Sequence, residues 1–262
     1  MNQIKILFII FIVLYVFLKG FFYIFLKGVK MFLIDFLSIL KKKLNCYKKS
    51  YSFGSVDLLI NYYFKNKKKG FYLDVGCQHP VSNNNTYLLF KKGWSGINID
   101  LDQKSIDLFN LVRNKDINLN TAVSSSVTEK KLFFYHDKSA INTLDENVSN
   151  FQSAKVKEIR NVKTNTLNNI LNKYNIKKID YLNIDVEGHE IDVLNGFDIK
   201  KYSPEIVSIE YLDLKMKRLE FKNNDLKNVL NSEIYKYMVF NGFSLINWNH
   251  ADLIFINNNF RD

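Results

Sequence analysis

Two patterns of hydrophobic and polar positions alternate along the chain between residues 71 and 210. Short apolar runs predict β-strands, and the longer stretches between them, in which apolar residues recur at helical spacing, predict α-helices. The predicted strands are 71–75, 94–100, 117–124, 129–136, 179–185 and 205–210. The predicted helices are 81–91, 104–113, 166–174, 189–197 and a long region from about 212 to 241. Strands that alternate with helices indicate an α/β protein with a mostly parallel sheet.

Two further strand-like runs follow these elements. FSLINWN at 243–249 and ADLIFIN at 251–257 are separated by little more than His250. A parallel connection needs a crossover of about a dozen residues or more. The two runs therefore predict an antiparallel hairpin at one edge of the sheet.

Residues 1–50 follow a different pattern. Ile6–Leu26 is apolar apart from one Lys-Gly pair, and as a helix it is roughly 31 Å long, close to the hydrocarbon thickness of a bilayer. This segment predicts a single membrane span. A second interpretation lays residues 19–40 in the membrane interface, because their polar residues and their phenylalanines fall on opposite helical faces. Both interpretations make residues 1–50 a membrane anchor and residues 51–262 the folded body.

The formal net charge of +11 is unevenly distributed. Residues 1–50 carry nine lysines and one acid, whereas the other 212 residues carry 28 Lys plus Arg and 25 acids. The positive charge belongs mainly to the anchor, so we expect the body to bind no nucleic acid. One lysine precedes the apolar run and seven follow it by residue 49, which predicts a cytoplasmic body by the positive-inside rule.

The composition is typical of one packed domain with an appendage, since 47% of the residues are hydrophobic and only two are proline. Cys46 and Cys77 have neither a disulfide pattern nor zinc-ligand spacing. A reducing compartment is the simplest interpretation of this cysteine content.

Charged residues and glycines stand where three predicted strands end, and ligands of open parallel sheets bind at such ends. In LDVGCQHP, Gly76 permits a close backbone approach. In NIDLD, Asp100 stands where a carboxylate accepts the hydroxyl hydrogens of a ribose. The third end, NIDVEGHE, brings together Asp185, Glu187 and His189. We expect these three ends to form one site.

The motifs FYLDVGC, GWSGINIDLD, NTAVS, TLNNILNKY, YLNIDVEGHEIDVLNGF and PEIVSIE occur in this order. In order and spacing they resemble the FkbM-type methyltransferases, which use S-adenosylmethionine. The resemblance covers about residues 70 to 257, and IDVEGHE followed by VLNG is its most specific part. It implies a class I methyltransferase fold, which is Rossmann-like and has a seven-stranded sheet.

The resemblance also implies roles for individual residues. Asp74 and Gly76 match the first cofactor motif, Asp100 matches the ribose-binding acid, and residues Ala122 to Ser124 match the segment beside the adenine. The chain departs from the family pattern at Cys77–Pro80, where many members have a second glycine. The cofactor-binding set implied is Asp74, Gly76, Cys77, Asp100, Ala122 and Ser124.

The same resemblance places Asp185 over the sulfonium of the cofactor. O-methylation needs the acceptor hydroxyl deprotonated, so Asp185 is our first choice for the base or a cation ligand, and His189 is the second. Glu187 belongs with Asp185 and His189 to the expected catalytic set, with the alternative that it bonds backbone amides of the turn. The alternative is that these residues have structural roles only. Asp185 would then cap the following helix, His189 would begin it, and Glu190 would interact with its N-terminal dipole. No ligand spacing predicts a metal site, and a divalent cation is left open.

These observations predict a membrane-anchored methyltransferase that acts with S-adenosylmethionine. The anchor suggests an oxygen acceptor on a sugar of a cell-surface glycan or of its lipid-linked precursor. Two other classes stay open from the residues: a nucleotide-cofactor oxidoreductase, against which the missing G-x-G-x-x-G counts, and a non-catalytic membrane scaffold. The sequence leaves the oligomeric state undetermined.

Overall fold

The computed structural model describes residues 2–46, 49–212, 225–249 and 251–260, and within the first helix it describes the side chains of residues 11, 13–34, 36 and 37. The chain forms two compact units, Met1–Lys49 and Ser50–Asp262.

In the first unit, the described residues form the helix α1 (Asn2–Cys46). Its described side chains include many exposed large apolar residues, among them Phe11 and Phe17, which are 73% and 72% exposed. In the described part of the chain, no helix combines the length and the apolarity needed to cross a membrane. The predicted span at Ile6–Leu26 is not supported, and the side chains of residues 6–10 and 12 lie outside the described residues.

The second unit is built on a seven-stranded sheet in the order β3-β2-β1-β7-β8-β10-β9 and a three-stranded sheet in the order β4-β6-β5. The strands are β1 (Phe71–Val75), β2 (Ser95–Asp100), β3 (Ile117–Asn120), β4 (Ala122–Val123), β5 (Glu129–Phe134), β6 (Glu158–Asn165), β7 (Tyr181–Ile184), β8 (Ile206–Glu210), β9 (Phe243–Asn249) and β10 (Asp252–Asn257).

The helices of this unit are α2 (Val56–Tyr63), α3 (Tyr87–Lys91), α4 (Gln103–Val112), α5 (Glu146–Phe151), α6 (Leu167–Lys173), α7 (Glu190–Asn195), α8 (Ile199–Tyr202), α9 (Leu226–Asn231) and α10 (Glu233–Phe240). Short 3-10 helices occupy Phe53–Ser55 and Asn258–Phe260.

The large sheet confirms the predicted fold class. Strands β3, β2, β1, β7 and β8 pair in parallel, and β10 pairs antiparallel with both β8 and β9. The predicted hairpin therefore lies at one edge. Strand β7 is buried at every position, as expected for a parallel strand that is covered on both faces. The chain order reverses between β1 and β7, and this is where open sheets of this kind bind ligands.

Three of the predicted elements differ in the structure. The predicted strand 117–124 divides at Thr121, whose N–H donates to the Asp100 carbonyl oxygen, and β4 then joins the smaller sheet. The predicted helix 81–91 begins only at Tyr87, because residues 82–86 form a loop. In the predicted helical region 212–241, residues 213–224 lie outside the described part. The rest forms two helices that separate at Ser232, whose hydroxyl caps α10.

Strand β6 was not predicted from the pattern. Its eight residues, EIRNVKTN, are mostly exposed or half-buried, so they present neither an apolar run nor a regular alternation. It forms because both of its edges are paired, with β5 on one side and β4 on the other.

Candidate active site

The end of β1 meets the end of β7 at Gly76. This glycine has φ of +80°, and a Cβ at its position would lie 1.6 Å from the Asp185 carbonyl oxygen. Any other residue would force the two strands apart. The N–H groups of Gly76 and Cys77 donate to the Ile99 carbonyl oxygen at 2.9 and 3.1 Å. The ends of β1, β2 and β7 are thereby held together, as the sequence predicts.

Asp74, two residues before Gly76 in β1, is completely buried. Its carboxylate accepts hydrogen bonds from Asn84 Nδ2 at 3.1 Å, Thr86 Oγ1 at 2.7 Å and Asn183 Nδ2 at 2.9 Å. These contacts join the loop before α3 to strand β7. Asp74 therefore lies in the wall of the site as a positioning residue whose oxygens already have protein donors.

Arg113 fixes the same loop from its other side. Its guanidinium is completely buried and donates to the Pro80 carbonyl oxygen at 2.9 and 2.7 Å. It also donates to Asn84 Oδ1 at 2.6 Å and to Thr86 Oγ1 at 2.8 Å. The Phe109 ring lies 4.9 Å from the guanidinium carbon. Nothing in the sequence marks Arg113 out, because the end of an amphipathic helix is normally exposed.

Asp100 ends β2 and faces the same space. Its Oδ2 accepts the N–H of Gln78 at 2.8 Å, and its Oδ1 accepts the N–H of Asp102 at 2.8 Å. Burial raises the pKa of this carboxyl to about 6. Each oxygen has a second lone pair, so the carboxylate retains the capacity to accept two more hydrogen bonds.

A cavity of about 230 Å³ opens beyond these strand ends. The segment 139–144, between β5 and α5, contributes to its wall, and so do Asn85 and Asp252. The predicted residues that line it are Asp74, Gly76, Cys77, Asp100, Ala122, Asp185, Glu187 and His189. Ser124 does not line it, because its side chain is buried against His189.

His189 is held by protein groups at both ring nitrogens. Its Nε2 lies 3.0 Å from Ser124 Oγ, and its Nδ1 lies 3.4 Å from Asp192 Oδ2. Burial lowers the pKa of the imidazole, which favours the neutral ring. Its Nε2 is hydrogen-bonded to Ser124 and its pKa is lowered, so His189 is less suited than Asp185 to take a proton from a ligand. It begins α7, as the structural alternative expects, and makes no side-chain cap.

Asp185, Glu187 and Glu210 bring carboxylate oxygens within 4.8 Å of one another. Burial raises the pKa of Asp185 to about 6. Burial, followed by the charge of Asp185, raises the pKa of Glu187 to about 9 and that of Glu210 well above its usual value. These three residues are called the acid cluster below.

The turn between β7 and α7 does not show the alternative role considered for Glu187. Glu190, not Glu187, bonds the backbone amides, since its Oε1 accepts the N–H groups of Val186 and Gly188, both at 3.1 Å. Glu187 has φ of +55°, and its carbonyl oxygen accepts the Thr143 hydroxyl at 2.7 Å. Among the described residues, its side-chain carboxylate makes no contact with the backbone amides of the turn and belongs to the acid cluster.

The sequence interpretation also missed two acids at the neighbouring strands. Glu210 ends β8, and Asp252, which begins β10, is its register partner. Burial, followed by the charge of Asp185, raises the pKa of Asp252 to about 7. Glu210 is the last residue of PEIVSIE, and an acid at the end of a predicted strand is the sequence signal by which it could have been found.

These features define the class of the protein. The mostly parallel sheet, its antiparallel last hairpin and the cavity at the point of chain reversal are those of a Rossmann-like methyltransferase. A family model described as the methyltransferase FkbM domain matches residues 74–245, and the chain belongs to this family of methyltransferases. No curated protein and no solved structure matches the chain.

Proposed function

We propose that this chain transfers the methyl group of S-adenosylmethionine to a hydroxyl oxygen of its acceptor. One observation carries the proposal: Gly76, Asp100 and Asp185, from three different strand ends, line one cavity. Membership of a methyltransferase family supports it.

The residues present fit this cofactor. We assign Asp100 to the two ribose hydroxyls, because each of its oxygens keeps acceptor capacity after bonding one backbone N–H. Gly76 has no side chain to obstruct the cofactor. Ala122 and Val123 give the cavity an apolar wall suited to an adenine. S-adenosylmethionine supplies the activated methyl group in such a site.

We assign Asp185 as the group that accepts the proton of the acceptor hydroxyl. With a pKa raised to about 6 it is still mostly ionised at neutral pH, and it lines the cavity. His189 was the alternative, but its ring nitrogens face Ser124 and Asp192. The proposed role of His189 is to pack the start of α7 against β4.

The cofactor assignment is tested by calorimetric titration of the purified chain with S-adenosylhomocysteine and, separately, with NAD. We expect binding of one S-adenosylhomocysteine per chain and no heat from NAD. Binding of NAD alone would replace this proposal with the oxidoreductase interpretation.

The acceptor we propose is a sugar of a cell-surface glycan or of its lipid-linked precursor. The polar wall supports a sugar, since Asn83, Asn85 and Asp252 can each bond hydroxyl groups. Incubation of the chain with labelled S-adenosylmethionine and lipid-linked sugar fractions tests this assignment. Transfer of label to protein or RNA but not to sugar would refute it.

We further propose that the N-terminal unit binds a lipid bilayer and that the body faces the cytoplasm. The exposed phenylalanines of α1 support this association, as do the lysines that share the helix with them. Flotation of the full chain and of residues 50–262 with anionic vesicles is the test. We expect only the full chain to float, and equal flotation of both would contradict the assignment.

A further inference from the structure

The acid cluster lacks any positively charged partner among the residues that the structure describes. Asp185 follows β7, Glu187 lies on the next turn, and Glu210 ends the adjacent strand β8. None of the three takes part in the ion pairs of the described residues. Three carboxyl groups so close together repel one another when ionised, so a charged cluster needs a cation from outside the chain.

Glu210 provides a second and separate observation. Its Oε2 atom is completely buried and has no hydrogen-bond partner within the described part of the chain. Buried carboxyl oxygens are nearly always hydrogen-bonded or bound to a metal ion. An unpartnered oxygen at this position, beside two other carboxyl groups, points to a ligand that supplies positive charge.

The neighbouring acids do not share this property. Glu190 accepts two backbone N–H groups with one oxygen, and Asp252 accepts a hydrogen bond from Asn85 Nδ2 at 3.3 Å. Both therefore have protein donors. The contrast separates the three members of the acid cluster from the acids around them.

We propose that Asp185, Glu187 and Glu210 bind one divalent cation of the Mg²⁺ or Mn²⁺ type. Carboxylate oxygens are the ligands that these hard cations prefer, and the three oxygens lie within 4.8 Å of one another. Three such ligands leave half of an octahedral shell for other oxygens. Asp185 and Glu187 line the cavity, so the open positions are reached from it.

A cation at this site would also help to activate the acceptor hydroxyl. This role of the cation rests on the proposed methyl transfer. A hydroxyl oxygen bound to the cation has a lowered pKa and a fixed direction. Asp185 then has one oxygen for the cation and one for the hydroxyl hydrogen. Glu210, which does not line the cavity, holds the cation from behind.

Direct binding of Mn²⁺ tests the site without any assay of activity. The full chain is treated with EDTA, exchanged into chelator-free buffer at pH 7.5 and titrated with MnCl₂, and free Mn²⁺ is measured by electron paramagnetic resonance. We expect one bound Mn²⁺ per chain. In Glu210→Gln and Asp185→Asn the affinity falls at least about tenfold, because each loses one charged ligand.

Asp252→Asn is the matched control. It removes a neighbouring acid of the same cavity that has its own protein donor, so Mn²⁺ affinity stays within about threefold of the parent chain. Absence of Mn²⁺ binding by the parent chain would overturn the proposal. Equal binding by the parent chain and Glu210→Gln would also overturn it.

Thermal unfolding distinguishes a variant that has lost the cation site from a variant that does not fold. Mn²⁺ raises the melting temperature of the parent chain, since it binds the folded state, and raises that of Glu210→Gln much less. A variant that melts cooperatively without Mn²⁺ and is stabilised by it as much as the parent chain counts against the site.

Methyl transfer with and without EDTA separates this proposal from the proposed function. Loss of transfer in EDTA, restored by MgCl₂, supports both. Full transfer in EDTA refutes the role of the cation and leaves the methyl transfer intact. Tight Mn²⁺ binding by a chain that transfers no methyl group supports the cation site and refutes the proposed function.

Discussion

Two groups of acids end the strands of the same sheet, and they differ in what their oxygens bind. At β1 and β2, Asp74 and Asp100 accept hydrogen bonds from side-chain amides, a hydroxyl and backbone N–H groups. At β7 and β8, the side chains of Asp185 and Glu210 receive no N–H donor from the described residues.

This difference separates acids that hold neighbouring loops in place from the acids that we propose bind a cation. A buried carboxylate with several donors fixes the groups that donate to it, so Asp74 shapes the loop around the cavity. Asp185 and Glu210 share a side-chain hydrogen bond with each other, but neither carboxyl accepts an N–H group of the described residues that would tie it to a loop, and each costs stability when it ionises in its buried position. Substitution at Asp74 should therefore cost much more stability than substitution at Asp185.

The largest expected effect is on folding, in Asp74→Ala. The change leaves Asn84, Thr86 and Asn183 without their shared acceptor in a fully buried position. We expect a loss of about 4 kcal/mol in the free energy of unfolding, because three buried hydrogen bonds to a charged group are lost at roughly 1.5 kcal/mol or more each. Urea denaturation measures it. Asp185→Asn is the control, with a change below about 1 kcal/mol, and an equal loss in both variants would remove the distinction.

The second effect is on turnover, in Asp185→Asn. The amide keeps the shape of the side chain but cannot take a proton, so we expect kcat for methyl transfer to fall by roughly a hundredfold or more. Binding of S-adenosylhomocysteine stays unchanged, since Asp100 and Gly76 are intact. A variant with parental kcat would show that the proton goes elsewhere.

The third effect is on stability as a function of pH, in Asp252→Asn. The pKa of Asp252 is raised to about 7 in the folded chain, above its ordinary value. A raised pKa contributes stability at low pH that is lost as pH rises through about 7. In EDTA, the variant should therefore gain on the order of 2 kcal/mol over the parent chain between pH 5 and pH 8. Parallel pH curves for the two chains would refute this.

The smallest effect is on cofactor affinity and concerns Asp100. Burial raises the pKa of its carboxyl to about 6, and under the ribose assignment the carboxyl accepts both hydroxyl hydrogens only when it is ionised, since protonation leaves one oxygen as a donor. Between pH 7.5 and pH 5 we expect S-adenosylhomocysteine to bind about tenfold more weakly. Calorimetry measures the change, and Asp100→Asn should bind weakly at both pH values. A parental affinity that does not depend on pH would contradict the ribose assignment.

The sheet and the ends of its strands were predictable from the sequence. Buried parallel strands are nearly continuous apolar runs, and Gly76, Asp100 and Asp185 each follow such a run directly. Parallel strands end at one edge, so the meeting of these residues follows from the strand pattern alone. The hairpin was predictable because its connection is too short for a crossover.

Residues whose roles arise from contacts distant in sequence were not predictable. Arg113 is buried only because the loop at 80–86 folds over it. Glu210 stands at a strand end in the sequence, but its place beside Asp185 comes from the pairing of β8 with β7, which the local pattern does not specify. Glu190, rather than Glu187, bonds the amides of the turn, and the pattern of the sequence does not distinguish these two neighbouring acids.

The antiparallel strand β10 has a consequence for the charge of the cavity. Because it runs against β8, its first residue, Asp252, stands opposite the last residue of β8. A two-residue slip of the hairpin would keep the same face inward and yet put Ile254 opposite Glu210, exchanging an acid for an aliphatic group. The number of ionisable groups around the cavity is thus set by the alignment of β10 with β8.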